Sequence, residues 1–402
     1  MRVLFLTHRL PYPPNKGDRL RAFHVIRILS ATTHLEVVSL AHDEEELAGA
    51  DRLRSLFPVR VTALRTSPAR NYLRAAAALA GTRPLTHCLL DAPGFSAVLR
   101  GIAHDRPPDV VLAFCSGMAR FALEPPLSQY PLVLDFVDID SEKWAALALV
   151  TKGPKRWIYR REAKYLGRFE RDAARRAVAS IVVNEREREA LRRLAPDSNM
   201  HVVGLGVDLE QLRPQTSPAE LPRVVFCGVM NYEPNVDGVL WFTREVWPQV
   251  VARRPDARFI VVGSNPTEPI RRLASNGIEV TGTVPDVREY LWGSAVSVAP
   301  LLMARGLQNK VLEALAAGLP TVITPEVREG LPEGILGGCR VAASASTFAD
   351  EILSLLALEP RDRRAVAARA ALESMGWDAQ LAPLPGILAD AMSSEGRVVD
   401  RA

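Results

Sequence analysis

The sequence has little cysteine, few aromatic residues and no long apolar run. Its four cysteines, Cys88, Cys115, Cys227 and Cys339, stand far apart and form no CxxC pair, which favours buried thiols over a disulfide framework or a zinc site. No stretch approaches the ~18 apolar residues of a membrane span, and the formal net charge of +4 is too small to indicate binding to nucleic acid. The composition predicts a cytoplasmic globular protein, long enough for two domains.

Short apolar runs alternate with helical patterns along the first half of the chain. The runs have the length of strands and comprise Val3–Leu6, Leu35–Leu40, Val110–Phe114, Leu132–Phe136 and Ser180–Val183. The helical patterns between them are Arg19–Ser30, Glu44–Phe57, Ala92–Ala103 and Lys155–Ala177. Such alternation predicts an α/β domain with a parallel, doubly wound sheet that helices cover on both faces.

A second series of the same kind follows a proline-rich segment. Residues 214–222 contain three prolines and show no periodicity, which is typical of a linker. The elements expected after it are Val224–Cys227, Val239–Ala252, Phe259–Val262, Ile270–Ser275, Val296–Ala299 and Thr321–Thr324. We therefore predict two Rossmann-like domains, over 1–213 and 223–376, with ligands bound at the carboxyl ends of the strands.

The segment 305–320 has the features of an anion site. A loop with a glycine leads into one amphipathic helix, and the N–H groups and dipole at a helix start favour a phosphate. Lys310 adds a positive charge in the first turn, and Glu313 can share one helix face with Lys310 and Asn309. The pattern fits a nucleotide, with phosphates on Lys310 and ribose hydroxyls on Glu313. An ordinary surface Lys–Glu pair fits the spacing equally well.

Two loops that follow strands of the first domain also carry unusual residues. In the first loop, Gly17 permits close backbone approach, and His8 and Lys16 offer donors near a helix start; a structural turn explains the glycine equally well. In the second loop, Asp138 and Asp140 form a DxD pair. Such a pair suits Mg²⁺ bound to a diphosphate, but Asp140 or the serine after it also suits the N-cap of a helix.

The segment 152–176 is strongly basic. It contains ten Lys or Arg and three Asp or Glu, interleaved with apolar residues near i, i+4 spacing. This pattern predicts a basic amphipathic helix. Its apolar stripe is expected to pack on the first sheet, while its charges suit peripheral contact with anionic phospholipid.

Three motifs together resemble a known enzyme family. HRLPYPPNKGD at 8–18, VDIDSEKW at 137–144 and QNKVLEA at 308–314 are similar to motifs of the sugar transferases associated with exosortase/PEP-CTERM exopolysaccharide systems. More broadly, nearly the whole chain resembles the family 4 retaining glycosyltransferases. That resemblance implies the GT-B fold, in which two Rossmann-like domains face each other across a cleft. It also implies that 377–402 begins with a helix that crosses back to the first domain.

The resemblance also implies roles for individual residues. Glu313 would bind the donor ribose, and Val284 would hold the nucleobase through backbone atoms. Asp138 and Lys310 would be the catalytic residues, with Asp138 near the acceptor. The implied donor set is Gly17, Val284, Gly306, Gln308, Asn309, Lys310 and Glu313. The implied acceptor side is His8, Lys16, Asp138 and Asp140.

Two departures from the family pattern concern charge. The family's E-x7-E element would begin at position 305, where this chain has Arg305. In the loop 228–238, where relatives often carry an Arg and a Lys, it has Val229 and Asp237. Lys310 and Arg305 are the residues expected to take over that positive charge.

The resemblance implies an enzyme that needs no metal or other cofactor. Its partners would be a nucleotide-sugar, UDP-linked by default, and a lipid-linked saccharide acceptor, at the inner face of the plasma membrane. Catalysis would come from stabilising the departing diphosphate. Two alternatives stay open: a GT-B-fold nucleotide-sugar 2-epimerase, and a non-catalytic GT-B binding protein.

Overall fold

The computed structural model describes residues 1–14, 17–215, 217, 219–275, 277–304 and 306–393, and it divides into two compact units. Of the described residues, the first unit contains those of 1–205 together with 380–393, and the second contains those of 206–379. Lys16 and Arg305, two residues singled out above, lie outside the described residues.

The first unit is built on a parallel sheet of seven strands in the order β3-β2-β1-β4-β5-β6-β7. Its strands are β1 (Arg2–Thr7), β2 (His34–Ala41), β3 (Arg60–Arg65), β4 (Val110–Phe114), β5 (Leu132–Val137), β6 (Ala179–Val182) and β7 (Met200–Val202). The helices between them are α1 (Gly17–Ser30), α2 (Glu44–Leu56), α3 (Pro68–Ala78), α4 (Leu85–Leu89), α5 (Phe95–Asp105), α6 (Ser116–Ala122), α7 (Asp140–Val150), α8 (Pro154–Arg176) and α9 (Glu185–Leu194).

The second unit repeats this plan with six parallel strands in the order β10-β9-β8-β11-β12-β13. Its strands are β8 (Arg223–Cys227), β9 (Arg258–Val262), β10 (Ile278–Gly282), β11 (Val296–Ala299), β12 (Thr321–Ile323) and β13 (Cys339–Val341). Its helices are α10 (Leu209–Leu212), α11 (Glu233–Trp241), α12 (Trp247–Arg253), α13 (Glu268–Arg271), α14 (Arg288–Trp292), α15 (Asn309–Ala316), α16 (Pro325–Arg328), α17 (Ala345–Ala357) and α18 (Pro360–Ala367). The last helices of the chain are α19 (Trp377–Leu381) and α20 (Leu384–Ser393).

Burial explains why these segments form central strands. The residues of β4 are all buried, and so are those of β11, as expected for parallel strands covered on both faces. β1 pairs with β2 and β4 in parallel register, so that Phe5 lies beside Val37 and Leu112. The continuous apolar runs in the sequence therefore mark the middle of each sheet, whereas half-buried β10 at a sheet edge gives no such run.

Residues at both ends of the predicted linker pack on the second unit. Leu212, which precedes it, is buried in the second core, and its carbonyl accepts a hydrogen bond from Trp292 Nε1 at 2.9 Å. The Pro222 carbonyl accepts one from Arg258 N at 3.1 Å. The boundary between the units therefore lies at 205/206, before the predicted linker. The chain passes back from the second unit to the first between residues 379 and 380, whereas the predicted boundary lies between 376 and 377.

Within the described parts of the chain, no helix combines the length and the apolar character needed to cross a membrane.

Candidate functional site: an anion pocket in the second unit

The strand order of the second unit creates a crevice between β8 and β11. These two strands are neighbours, but β8 leads towards β9 on one side and β11 leads towards β12 on the other. At such a switch point the loops after the two strands separate and leave room for a ligand at their carboxyl ends. α11 follows β8 and α15 follows β11, so residues at the starts of these two helices meet at the crevice.

Lys310 is the central side chain of this crevice. It lies in the first turn of α15, and its ammonium donates a hydrogen bond to Asn235 Oδ1 on α11. The same nitrogen lies 4.6 Å from the ring centroid of Phe226 on β8. Asn235 is buried and its Nδ2 donates to the Val229 carbonyl at 2.9 Å, which turns the amide oxygen towards the lysine. Three elements thus fix the position of one positive charge.

Gly228 makes this arrangement possible. A Cβ atom at this position would lie 2.8 Å from Asn235 Nδ2 and 3.4 Å from Lys310 Nζ. Gly263, at the end of β9, is just as tightly packed, because a Cβ there would lie 1.6 Å from the Gly228 carbonyl oxygen. The two glycines therefore let the loops after β8 and β9 approach each other and the lysine.

The charges of this crevice are poorly neutralised by the protein. Burial lowers the pKa of Lys310 to about 8 and raises that of Glu313 to about 7, with Lys310 partly opposing the latter shift. Both side chains are half-buried, yet no ion pair within 4 Å joins them, and the Glu313 carboxylate accepts no hydrogen bond from the described residues. Burial also raises the pKa of the neighbouring Cys227 thiol to about 12. A bound anion with hydroxyl groups would relieve both unfavourable charges.

The start of α15 adds donors to the same place. Gln308 precedes the helix and its side chain does not cap it, and no side chain of the described residues accepts the first N–H groups. Its Nε2 donates to the Gly306 carbonyl at 3.3 Å. Gly306 adopts a φ of 64°, which favours glycine. Gly306, Gln308, Asn309 and Lys310 thus surround the first turn, and Glu313 follows one turn later.

Val284 lies in the loop after β10, at the edge of the same sheet. Its side chain is half-buried and packs against the second core, so its backbone is the part that remains for a ligand. The turn begins at Gly282, whose φ of 71° is one that residues with a side chain rarely adopt.

The first unit has its own switch point, between β1 and β4. The His8 ring, after β1, stacks on Phe114 of β4 with centroids 5.8 Å apart and planes 8° from parallel. Its carbonyl contacts His42 Nε2 at 2.9 Å. Gly17 is the first residue of α1, and a Cβ there would meet nothing within 4 Å. Packing within the protein therefore does not explain the glycine at position 17.

Glu46 anchors the loop between β1 and α1. Its buried carboxylate receives Arg9 Nε at 2.9 Å and the guanidinium of Arg19, which precede and follow the loop tip. It also accepts the backbone N–H of His42 at 2.9 Å. Two arginines and one acid thus hold together the segment that contains the predicted glycine.

Asp138 and Asp140 share a lysine. Lys143 Nζ lies 3.1 Å from Asp138 Oδ2 and 3.2 Å from Asp140 Oδ1, and Ser116 Oγ donates to Asp140 at 3.1 Å. Both aspartates raise the pKa of Lys143, against the opposing effect of its burial. Across the described residues, no group of three His, Cys, Asp or Glu side chains could hold a metal ion.

The prediction that Asp140 or Ser141 caps a helix is wrong. α7 begins at Asp140 after an Ile139 N-cap, and buried carboxylates from other helices receive its first N–H groups. Glu170 accepts Asp140 N at 3.0 Å, and Glu187 accepts Ile139 N at 2.8 Å. Burial raises the pKa of Glu170 to about 8. Distant acids replace a local cap here, which a local motif could not indicate.

The backbone just before Asp138 is strained. Val137 has a φ of 66°, a value that β-branched residues rarely adopt. Asp135 Oδ1 accepts the Val137 N–H at 3.1 Å, while Asp135 Oδ2 accepts Arg21 Nε at 2.9 Å. This buried Arg21–Asp135 pair holds the strained turn and thereby directs Asp138.

Sequence reasoning missed Asn235, Phe226 and Gly228 as parts of the crevice. For the loop 228–238, the sequence shows the absence of the Arg and Lys that relatives carry but identifies no binding residue. The signal that could have identified these residues is the position of Gly228 directly after a buried strand, with an amide side chain in the first turn of the helix that follows.

Comparison with known proteins identifies part of the chain. Residues 221–358 match the family model described as glycosyl transferases group 1. None of the curated proteins gives a match. Sucrose-phosphate synthase from Thermosynechococcus elongatus is similar in structure, with a TM-score of 0.66 at 15% identity over 98% of this chain and 100% of that one.

Two further solved structures are similar over 97% of this chain and 100% of theirs. HepE of Anabaena in complex with UDP has a TM-score of 0.60 at 15% identity. The trehalose-phosphate synthase (UDP-forming) from Burkholderia vietnamiensis has a TM-score of 0.59 at 12% identity. The predicted fold of two Rossmann-like, parallel-sheet domains is confirmed and matches GT-B glycosyltransferase structures, and residues 221–358 match the glycosyl transferases group 1 model.

Proposed function

We propose that this protein is a retaining glycosyltransferase that moves a sugar from a nucleotide-sugar to a lipid-linked saccharide in exopolysaccharide biosynthesis. The observation that carries the proposal is the Lys310–Glu313 crevice. It holds a cation and an acid without a mutual ion pair, at the switch point of a glycosyl transferases group 1 domain. Exopolysaccharide synthesis and the lipid-linked acceptor rest on the motif resemblance described above.

In this proposal the donor occupies the start of α15. Lys310 and the first N–H groups of α15 receive the diphosphate, assisted by Gly306, Gln308 and Asn309. Glu313 accepts hydrogen bonds from the ribose hydroxyls, and the backbone of Val284 receives the nucleobase. A UDP-sugar is the first donor to test, because the similar Anabaena protein binds UDP.

The reaction replaces one bond of the sugar's anomeric carbon with another. The bond to the diphosphate oxygen breaks, a bond to an acceptor hydroxyl oxygen forms on the same face, and the hydroxyl proton passes to the departing diphosphate oxygen. Lys310 and the helix start stabilise the charge that develops on the leaving diphosphate. We propose that this makes the reaction independent of metal, and that His8, Lys16, Asp138 and Asp140 serve the acceptor side.

Donor binding and transfer are tested separately. Thermal-shift measurements against a panel of nucleotide-sugars should identify one donor, since a ligand at 100 Kd stabilises by about 2.7 kcal/mol. Incubation of that donor with lipid-linked saccharide extract should then yield a glycosylated lipid, with and without EDTA.

The outcomes separate the proposal from its alternatives. Product formed without any acceptor would indicate the epimerase. Binding without transfer to any extract would indicate a non-catalytic protein, and no shift with any nucleotide-sugar would remove the proposal altogether.

A further inference from the structure

The basic helix α8 carries two sets of charges with different uses. Arg161 and Glu162 are buried and bond to neighbouring helices of the first unit. The Arg161 guanidinium donates to the carbonyls of Leu79, at 3.1 Å, and of Ala78 and Gly81, at the end of α3. The next residue, Glu162, accepts the N–H groups of Leu85 and Thr86 at 2.7 and 2.9 Å, at the start of α4. These two residues thus cap the neighbouring helices.

The charges that face away from the core have no such role. Between 152 and 168 the only acid is Glu162, which is buried. Six cations in this stretch are exposed and form no ion pair with the described residues: Lys152, Lys155, Arg156, Arg160, Lys164 and Arg168. The surface here therefore carries a dense and unneutralised positive charge.

Exposed apolar side chains gather beside these cations. Among the described residues of 1–205, six large apolar side chains are exposed, and five of them lie on α3, α7 and α8. Leu149 is 76% exposed, near the end of α7, and Trp157 is 57% exposed, at the start of α8. The five are Tyr72, Leu73, Leu147, Leu149 and Trp157.

Contacts join α7 to α8 and the end of α3 to α8. The rings of Trp144 on α7 and Tyr159 on α8 lie 5.3 Å apart. A groove lined by Leu79 and Gly81 on one side and by Trp157 and Tyr165 on the other joins the end of α3 to α8. We call the five apolar side chains and six cations together the α3–α7–α8 surface.

We propose that the α3–α7–α8 surface docks on an anionic phospholipid bilayer. Lys and Arg side chains would contact lipid phosphates, while Trp157, Leu149 and Leu73 enter the interface beneath the headgroups. Charge complementarity selects this occupant, because unpaired cations and apolar side chains on one surface match anionic headgroups above acyl chains. The proposal does not depend on the transferase activity, since it concerns a surface distinct from the crevice.

Co-sedimentation of the full chain with vesicles tests this docking. We expect binding to phosphatidylglycerol-containing vesicles, weak or no binding to pure phosphatidylcholine, and loss of binding at high salt. The Lys155→Ala/Arg156→Ala variant should bind anionic vesicles roughly 30-fold more weakly, from two lost headgroup contacts. Leu149→Ser/Trp157→Ser should also weaken binding, with less dependence on salt.

Matched controls use exposed residues on other helices. Arg52→Ala/Arg361→Ala removes two exposed cations that make no ion pair with the described residues, and Leu56→Ser removes the remaining exposed large apolar side chain of 1–205. Both controls should bind vesicles as the parent chain does, and all variants should keep its circular dichroism. Equal binding to anionic and neutral vesicles would overturn the proposal, as would an equal loss in the controls.

Discussion

The two units treat charge at the carboxyl ends of their strands in opposite ways. In the first unit the charges near the switch point are paired: Glu46 with two arginines, Asp135 with Arg21, and Asp138 with Lys143. In the second unit Lys310 has a neutral amide as its hydrogen-bond partner, and Glu313 accepts no hydrogen bond from the described residues. The two units have similar folds, so this difference in charge pairing comes from the residues of the loops that follow the strands.

A paired charge stabilises the loop that carries it, whereas an unpaired buried charge is available to bind a ligand. Burying an ion without a partner costs free energy, which appears here as pKa values of about 8 for Lys310 and about 7 for Glu313. A site that keeps such charges gains more when an oppositely charged group arrives. The comparison therefore assigns stability to the charges of the first unit and binding to those of the second.

Removing Glu46 should have the largest effect on stability. Glu46→Gln removes the buried negative charge that contacts Arg9 and Arg19, and we expect a loss of about 3 kcal/mol in unfolding free energy. The control is Glu36→Gln, because the partner of Glu36, Arg106, is exposed and such pairs contribute less than about 1 kcal/mol. Urea unfolding of both variants measures the difference. Equal losses would show that the buried cluster does not hold the loop.

Removing Lys310 should affect binding and leave stability almost unchanged. We expect Lys310→Ala to weaken nucleotide-sugar binding by about 2–3 kcal/mol, or roughly 30- to 150-fold, as for a hydrogen bond to a charged group. The thermal midpoint of Lys310→Ala should stay near that of the parent chain, because burying the charged lysine already costs the parent chain free energy. Lys143→Ala, which removes the paired lysine of the first unit, should leave donor Kd unchanged. Titration calorimetry decides; an unchanged Kd in Lys310→Ala would reject the crevice as the donor site.

The sequence was sufficient for the fold because the central strands of both sheets are mostly or fully buried. β1, β4, β8 and β11 all coincide with continuous apolar runs that were recognised. The edge or near-edge strands β3, β7, β10 and β13 were missed, because their half-exposed residues give no such run.

The site was predictable only where it is local in sequence. Lys310 and Glu313 stand one turn apart on one helix, so their spacing was visible. Asn235 lies 75 residues from Lys310, and only the strand order brings the two together. The same holds for Glu170, which caps α7 from 30 residues away. Contacts between residues that are distant in the sequence depend on how the elements are arranged, so the spacing of neighbouring residues cannot indicate them.

Donor affinity should be highest between about pH 7 and pH 8. A bound diphosphate raises the pKa of Lys310, so affinity is full below about pH 8 and falls up to about tenfold per pH unit above it. Ribose hydroxyls favour the ionised form of Glu313 and lower its pKa, so affinity is full above about pH 7 and falls as the pH drops below it. The diphosphate diester of a nucleotide-sugar stays ionised over this range.

The two limbs of this profile can be separated by substitution. Glu313→Gln should abolish the acid limb, which is the fall in affinity below about pH 7. It should keep the alkaline limb, which is the fall in affinity above about pH 8. Calorimetric Kd values from pH 6 to pH 9 provide the measurement, and a flat profile for the parent chain would contradict the assignment of both groups.

Replacing Asn235 with an acid would pair the charge of Lys310, as the charges near the switch point of the first unit are paired. Asn235→Asp supplies Lys310 with a paired carboxylate but loses the Nδ2 hydrogen bond to the Val229 carbonyl, so the free protein should be no more stable than the parent, while donor affinity falls about fivefold. The alkaline limb of the pH profile should move upward, because the new charge raises the pKa of Lys310. Asn235→Ala is the matched control: it removes the hydrogen bond and adds no charge, so the limb should stay near pH 8 or move down. If both variants lost affinity equally and the limb did not move, the unpaired charge of Lys310 would not be what distinguishes the two units.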